Sequence, residues 1–100
     1  MLTKEEIISE IEKNGVSIKR YGVKKLILIG SHAKGSANER SDIDFLVEFD
    51  DKRGLFDDFI HLTQFLEDLF KKKIDLGEEY LIRDELKPSI LNGEKVEARI

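Results

Sequence analysis

The chain of 100 residues contains no cysteine, so neither a disulfide framework nor a thiolate zinc site is open to it. No apolar run approaches the roughly 18 residues of a membrane-crossing helix, and the charged start Met1-Leu2-Thr3-Lys4-Glu5-Glu6 does not read as a signal peptide. A basic excess is missing as well. Seventeen Lys and Arg stand against 21 Asp and Glu, a formal net charge of −4. Grip on a phosphate backbone comes from surplus Lys and Arg, so a general nucleic-acid binder is not expected. No set of residues joins a nucleophile, a base and an orienting acid in the manner of Ser-His-Asp, which removes the common covalent mechanisms. Linkers, repeats and low-complexity tracts are also missing. These absences predict one cytoplasmic domain over residues 1–100, with a modest core and no membrane association.

What is present alternates between short apolar segments and longer amphipathic ones. Thr3 and Glu6 form a capping-box pattern, and Ile7, Ile8 and Ile11 make the stripe of a helix ending near Asn14-Gly15. Val16–Gly22 reads as a connector into a buried strand, Leu26–Ile29, which stops at a glycine. Lys34–Arg40 reads as a short loop or helical turn broken at Gly35, and Asp42–Phe49 as a second strand. Apolar residues from Leu55 to Phe70 keep helical spacing and predict the longest helix, with Phe56, Phe59, Phe65 and Phe70 in the core or on a partner face. Lys73–Leu76 fits a third short strand. Asp84–Leu91 fits a helix, with Pro88 in its first turn and Asn92-Gly93 as its stop. Val96, Ala98 and Ile100 alternate with charged residues, as an edge strand does. The expected class is α+β, a small mixed β-sheet backed by three or so helices, with the acidic residues described next on its open side.

Chemistry concentrates where the first strand ends. Gly30-Ser31-His32-Ala33-Lys34-Gly35 follows the Leu26–Ile29 run, and Asp42-Ile43-Asp44 opens the second strand. Alternate residues of a strand face the same way, so Asp42 and Asp44 point into one space about 7 Å apart at Cα. Two carboxylates so close repel unless a cation lies between them, and hard ions such as Mg²⁺ take oxygen ligands. Gly30 lets backbone approach a ligand, and Ser31 with the N–H groups after it can hold phosphate oxygens. Asp75 supplies a third acid if its strand lies beside Asp42–Val47. A phosphate cradle beside carboxylate-bound Mg²⁺ is what phosphoryl or nucleotidyl transfer requires.

Gly30-Ser31-x-Ala33-x-Gly35, Ser41-Asp42-Ile43-Asp44-x-Leu46-Val47, Ile74-Asp75-Leu76 and Leu86-Lys87-Pro88 to Ile90 stand in an order that resembles the DNA polymerase β-like nucleotidyltransferase superfamily. Within it the chain is similar, over essentially its whole length, to the minimal nucleotidyltransferases, the MntA-like antitoxins that pair with HEPN-domain toxins. The resemblance implies a polymerase β-like nucleotidyltransferase fold and transfer of AMP from ATP to a tyrosine hydroxyl of a HEPN ribonuclease toxin. It implies Asp42, Asp44 and Asp75 as catalytic residues and ligands of two Mg²⁺ ions, and Gly30 and Ser31 as phosphate-binding residues. Lys34 or Arg40 would neutralise phosphate charge. Lys34 stands where many relatives carry Arg, which keeps the charge and loses the bidentate fork. A chain this small must borrow acceptor recognition from a partner or from a second copy of itself, so a homodimer or hetero-oligomer is expected.

Each feature also has a plainer reading. Asp42 could end a strand, Asp44 and Asp75 could face water, and Ser31 could only cap a helix. His32 reads as a loop side chain beside the ligand, His61 as a surface residue, and Lys71-Lys72-Lys73 as a solvated helix end. Two other functions compete. One is an antitoxin that neutralises its toxin by binding alone. The other is a small-molecule transferase similar to the aminoglycoside nucleotidyltransferases, which would need a substrate pocket from another chain.

Overall fold

The N-terminal Thr3 hydroxyl accepts the N–H of Glu6, and the Glu6 carboxylate accepts the N–H of Thr3, each at 3.1 Å. This capping box starts helix α1, Lys4–Lys13, in a computed structural model that describes residues 2–78 and 94–100. Ile7 and Ile11 lie on one face of α1 and are fully buried. Asn14 ends the helix, its side-chain amide donating to the Glu10 carbonyl at 2.8 Å. The stretch expected as a connector then forms a single-turn helix, α2, Gly15–Lys19. Its reason is Ile18, fully buried in the core; five residues are too few to show a period in the sequence.

Strand β1, Val23–Ile29, runs antiparallel to β2, Ile43–Phe49, with Ile27 opposite Leu46 and Ile29 opposite Asp44. Helix α3, Gly30–Lys34, follows β1 directly. After β2 comes α4, Phe56–Phe70, and then β3, Ile74–Glu78, parallel to β2. Two parallel neighbours need a crossover of this kind. Strand β4, Val96–Glu97, pairs antiparallel with the free side of β1. Ala98 extends that pairing by donating to the Leu26 carbonyl at 3.0 Å. Sheet order is β3-β2-β1-β4, the α+β arrangement expected, with β4 at an edge. The helix proposed over Asp84–Leu91 lies outside the described residues.

Strand alternation divides the sheet into two faces. Leu26, Leu28, Ile43, Phe45, Val47, Ile74 and Leu76 join Ile7, Ile11, Ile18, Leu62, Leu66 and Phe70 in one core. The opposite face carries Ile29, Asp44 and Asp75 near one end of the strands, with Leu46 and Gly77 further along. The connection from β2 to α4 is held by Arg53, which donates to both Asp58 carboxylate oxygens at 3.0 Å and to the Arg20 carbonyl at 2.9 Å. Arg53 and the Gly54 N–H hold the Asp58 carboxyl down at about 2.

Leu62 fixes α4 against the sheet from a position with no solvent exposure. Leu62→Ala should lower unfolding free energy by about 2–5 kcal/mol. Urea denaturation should show this as a shifted midpoint at unchanged slope.

Candidate active site

Asp44 reaches the site because alternation sends Ile43, Phe45 and Val47 into the helix-covered core and puts Asp44 and Leu46 on the other face, where Leu46 and Ile27 are themselves buried. The β2–β3 register sets Asp44 directly beside Asp75. Ile43 holds that end of the register by donating to the Lys73 carbonyl at 3.1 Å. Asp42 lies one residue before β2 and is exposed, as is Asp75, whereas Asp44 is half-buried. Gly30 forms the wall across from them. Its φ is +75°, and a Cβ at this position would collide with the Asp44 carboxylate. Glycine is therefore required twice here, by the backbone turn and by the space the acid occupies.

The electrostatics show the same convergence. Burial first, then the charge of Asp75, then that of Asp42, push the Asp44 carboxyl above its ordinary 3.8. All three carboxylates therefore act on one region, and among the described residues no cation is a cause offsetting them at Asp44. Among the described residues no three acidic or histidine side chains are already gathered closely enough to hold a metal ion. The acids' all-oxygen donor chemistry and their mutual repulsion fit a hard divalent cation such as Mg²⁺.

The remaining candidates fall around this centre. Ser31 is the second residue of α3 and does not cap it; Ile29 occupies the cap position in extended conformation. The Ser31 carbonyl accepts the N–H of Gly35, whose φ of +78° ends the helix, and that of Ser36 at 2.9 Å. Helical structure thus begins at Gly30, earlier than the loop or turn expected from Lys34. Lys34 and Arg40 are both exposed. The Arg40 backbone N–H is bound by the Asn38 side chain at 2.8 Å, while Ser41 Oγ accepts from the Asn38 N–H at 2.9 Å. Lys72 ties this loop down by donating to the Glu39 carbonyl at 3.1 Å. One member of the expected solvated lysine cluster therefore has a structural role, and Lys71 ends α4 in the left-handed region.

His32 corrects the sequence reading. It is not a loop residue but a helical one, 2% exposed, and neither ring nitrogen has a hydrogen-bond partner among the described residues. Burial and then the Lys72 charge lower its pKa, and the nearby Asp42 backbone offsets part of this without completing a hydrogen bond of ordinary geometry. The imidazole is neutral at pH 7. Its burial arises from the way α3 folds back on the sheet, which local sequence does not encode. His61 is exposed, as expected.

A family model described as a nucleotidyltransferase domain matches residues 5–96. The chain belongs to the nucleotidyltransferase domain family. This nucleotidyltransferase is 39% identical over 77 residues to the protein adenylyltransferase MntA of Thermococcus cleftensis, which covers 76% of this chain and 77% of that one. A solved structure provisionally named a minimal nucleotidyltransferase superposes with a TM-score of 0.78 at 29% identity, covering 95% of each chain. Two more distant structures share the fold. One is a toxin–antitoxin with AMP-PNP (TM-score 0.66, 20% identity, 86% of this chain and 70% of that one). The other is a tri-AMPylated Shewanella oneidensis HEPN toxin in complex with an MNT antitoxin (TM-score 0.59, 17% identity, 90% and 70%). The polymerase β-like fold and the family expected from the residues are both borne out.

The raised Asp44 pKa has a consequence for stability. A carboxylate whose folded pKa exceeds its unfolded value weakens the fold as pH rises through that interval, and the penalty persists at pH 7. Asp44→Asn should therefore melt above the metal-free wild type at pH 7, with the difference closing as pH falls below about 4. Millimolar Mg²⁺ should raise the wild-type melting temperature more than that of Asp44→Asn. Equal shifts would remove Asp44 from the cation site.

Proposed function

We propose that this chain is a Mg²⁺-dependent protein adenylyltransferase that moves AMP from ATP to a tyrosine hydroxyl of a HEPN-domain ribonuclease toxin, acting as its antitoxin. The observation that carries the reading is the register of Asp44 against Asp75, with Asp42 adding to their shared field and Gly30 facing Asp44. The relative named MntA and the toxin–antitoxin complexes with AMP-PNP and with an AMPylated HEPN toxin support the choice of donor and acceptor. We read residues 1–100 as one minimal catalytic domain in the cytoplasm.

Asp42, Asp44 and Asp75 would hold Mg²⁺, which when bound would supply charge neutralisation for the triphosphate and a lowered pKa for the acceptor hydroxyl. Gly30, whose missing side chain makes room for the Asp44 carboxylate, and Ser31 bind the triphosphate oxygens with the backbone at the start of α3. Lys34 or Arg40, both free to swing in solvent, offsets phosphate charge. The incoming hydroxyl oxygen bonds to the α-phosphorus as pyrophosphate departs. No residue of the chain is covalently modified on the way, consistent with the lack of a nucleophile–base pair.

With α-labelled ATP and Mg²⁺, label should pass to the cognate HEPN-domain protein. Asp42→Asn and Asp44→Asn should each cut the rate by ~100-fold or more. Wild-type labelling by both variants would remove the proposed mechanism. Full toxin neutralisation by the Asp42→Asn/Asp44→Asn double variant at stoichiometric dose would favour neutralisation by binding alone.

A further inference from the structure

Among the described residues, three of the four large apolar side chains that stand exposed lie at the start of α4: Leu55 at 72%, Phe56 at 78% and Ile60 at 44%. Phe56 and Ile60 line a cleft of about 610 Å³ with Phe59 of the same helix and with Leu76, Gly77 and Glu78 of β3. Apart from Glu78 the lining offers no charged side chain. Oxygen Oε2 of Glu78 is shut off from solvent and has no hydrogen-bond partner among the described residues. An unpaired, shielded carboxylate in apolar surroundings is costly and calls for a cation. Exposed Asp57 follows Phe56 in the chain and adds negative charge to the first turn of α4.

The cleft borders β3, the outermost strand among the described residues and the one that carries Asp75. Alternation puts Leu76 and Glu78 on the helix-covered face and Asp75 on the opposite one, so a protein seated against Phe56 and Ile60 would reach the third acid around the β3 edge.

We propose that this cleft is the docking surface for the acceptor protein, occupied by an apolar segment of that protein bearing an Arg or Lys that pairs with Glu78. The inference rests on the adenylyltransferase reading, and it supplies what a bare catalytic domain lacks: a hold on the acceptor outside the reacting groups. Aromatic side chains flanked by charge pairing are the usual source of interface affinity.

The test measures calorimetric affinity of the full chain for the cognate HEPN-domain protein, alongside label transfer from ATP. Phe56→Ala and Ile60→Ala should each weaken binding ~10-fold or more. Glu78→Gln should weaken it ~5-fold and flatten its salt dependence. Val16→Ala, at an exposed apolar residue elsewhere, should change neither. Melting temperatures should stay at the wild-type value, because Phe56 and Ile60 are exposed. A marked fall in the melting temperature of Phe56→Ala would show the cleft filled by the chain's own residues and overturn the proposal. So would binding within twofold of wild type by Phe56→Ala. If wild type labels the acceptor while Phe56→Ala binds normally, docking elsewhere is established and the adenylyltransferase reading stands. If wild type binds without transferring label, that reading falls, and the variants' affinities still decide the docking surface. Failure of wild type to bind at all overturns the docking proposal.

Discussion

Parallel pairing of β2 with β3 is the constraint on which the rest of the molecule depends. It sets Asp44 beside Asp75 and brings together charges that repel. The crossover helix α4 enforces this by burying Leu62, Leu66 and Phe70 against the same strands. Stability comes from the helix-covered face, and the opposite face carries the strain. The two cannot be separated, since a one-residue slip of β2 would turn Ile43, Phe45 and Val47 outward and Asp44 inward.

This division explains why the acids can be crowded at all. Asp44 is destabilised in its charged form by burial and by two neighbours, yet the strand beneath it is anchored by fully buried side chains. A preorganised site of this kind stores unfavourable electrostatics that the proposed cation would relieve. Gly30 contributes to the same preorganisation through its positive φ, which brings backbone close to Asp44 without a side chain between them.

How much could be read from the residues alone follows from the range of each interaction. Asp42 and Asp44 were legible because strand alternation is local and the flanking Ile43, Phe45 and Val47 show which face is buried. Thr3 with Glu6 was legible for the same reason. Asp75 required a partner strand, and residues alone could state only the condition that β3 lie beside β2. Helix α2 escaped because a single turn shows no period, and Ile18 reveals itself only once packed. His32 escaped for a different reason: a polar residue in a Gly-rich stretch looks like a loop, and only tertiary folding encloses it. Of the exposed group of Leu55, Phe56 and Ile60, only Phe56 was read as core or partner face, and three dimensions were needed to see that Phe56 and Ile60 border a cleft.

The direct passage of β1 into α3 at Gly30 carries one more implication. With no loop between strand and helix, the joint has no slack, so lengthening the chain there by even one residue would rotate everything after it about the strand axis. The Asp50–Leu55 connection has slack only outside Arg53 and Gly54, which are bound to Asp58 and, through Arg53, to the Arg20 carbonyl. An engineer adding sequence would keep the β1–α3 joint untouched and spare those two residues.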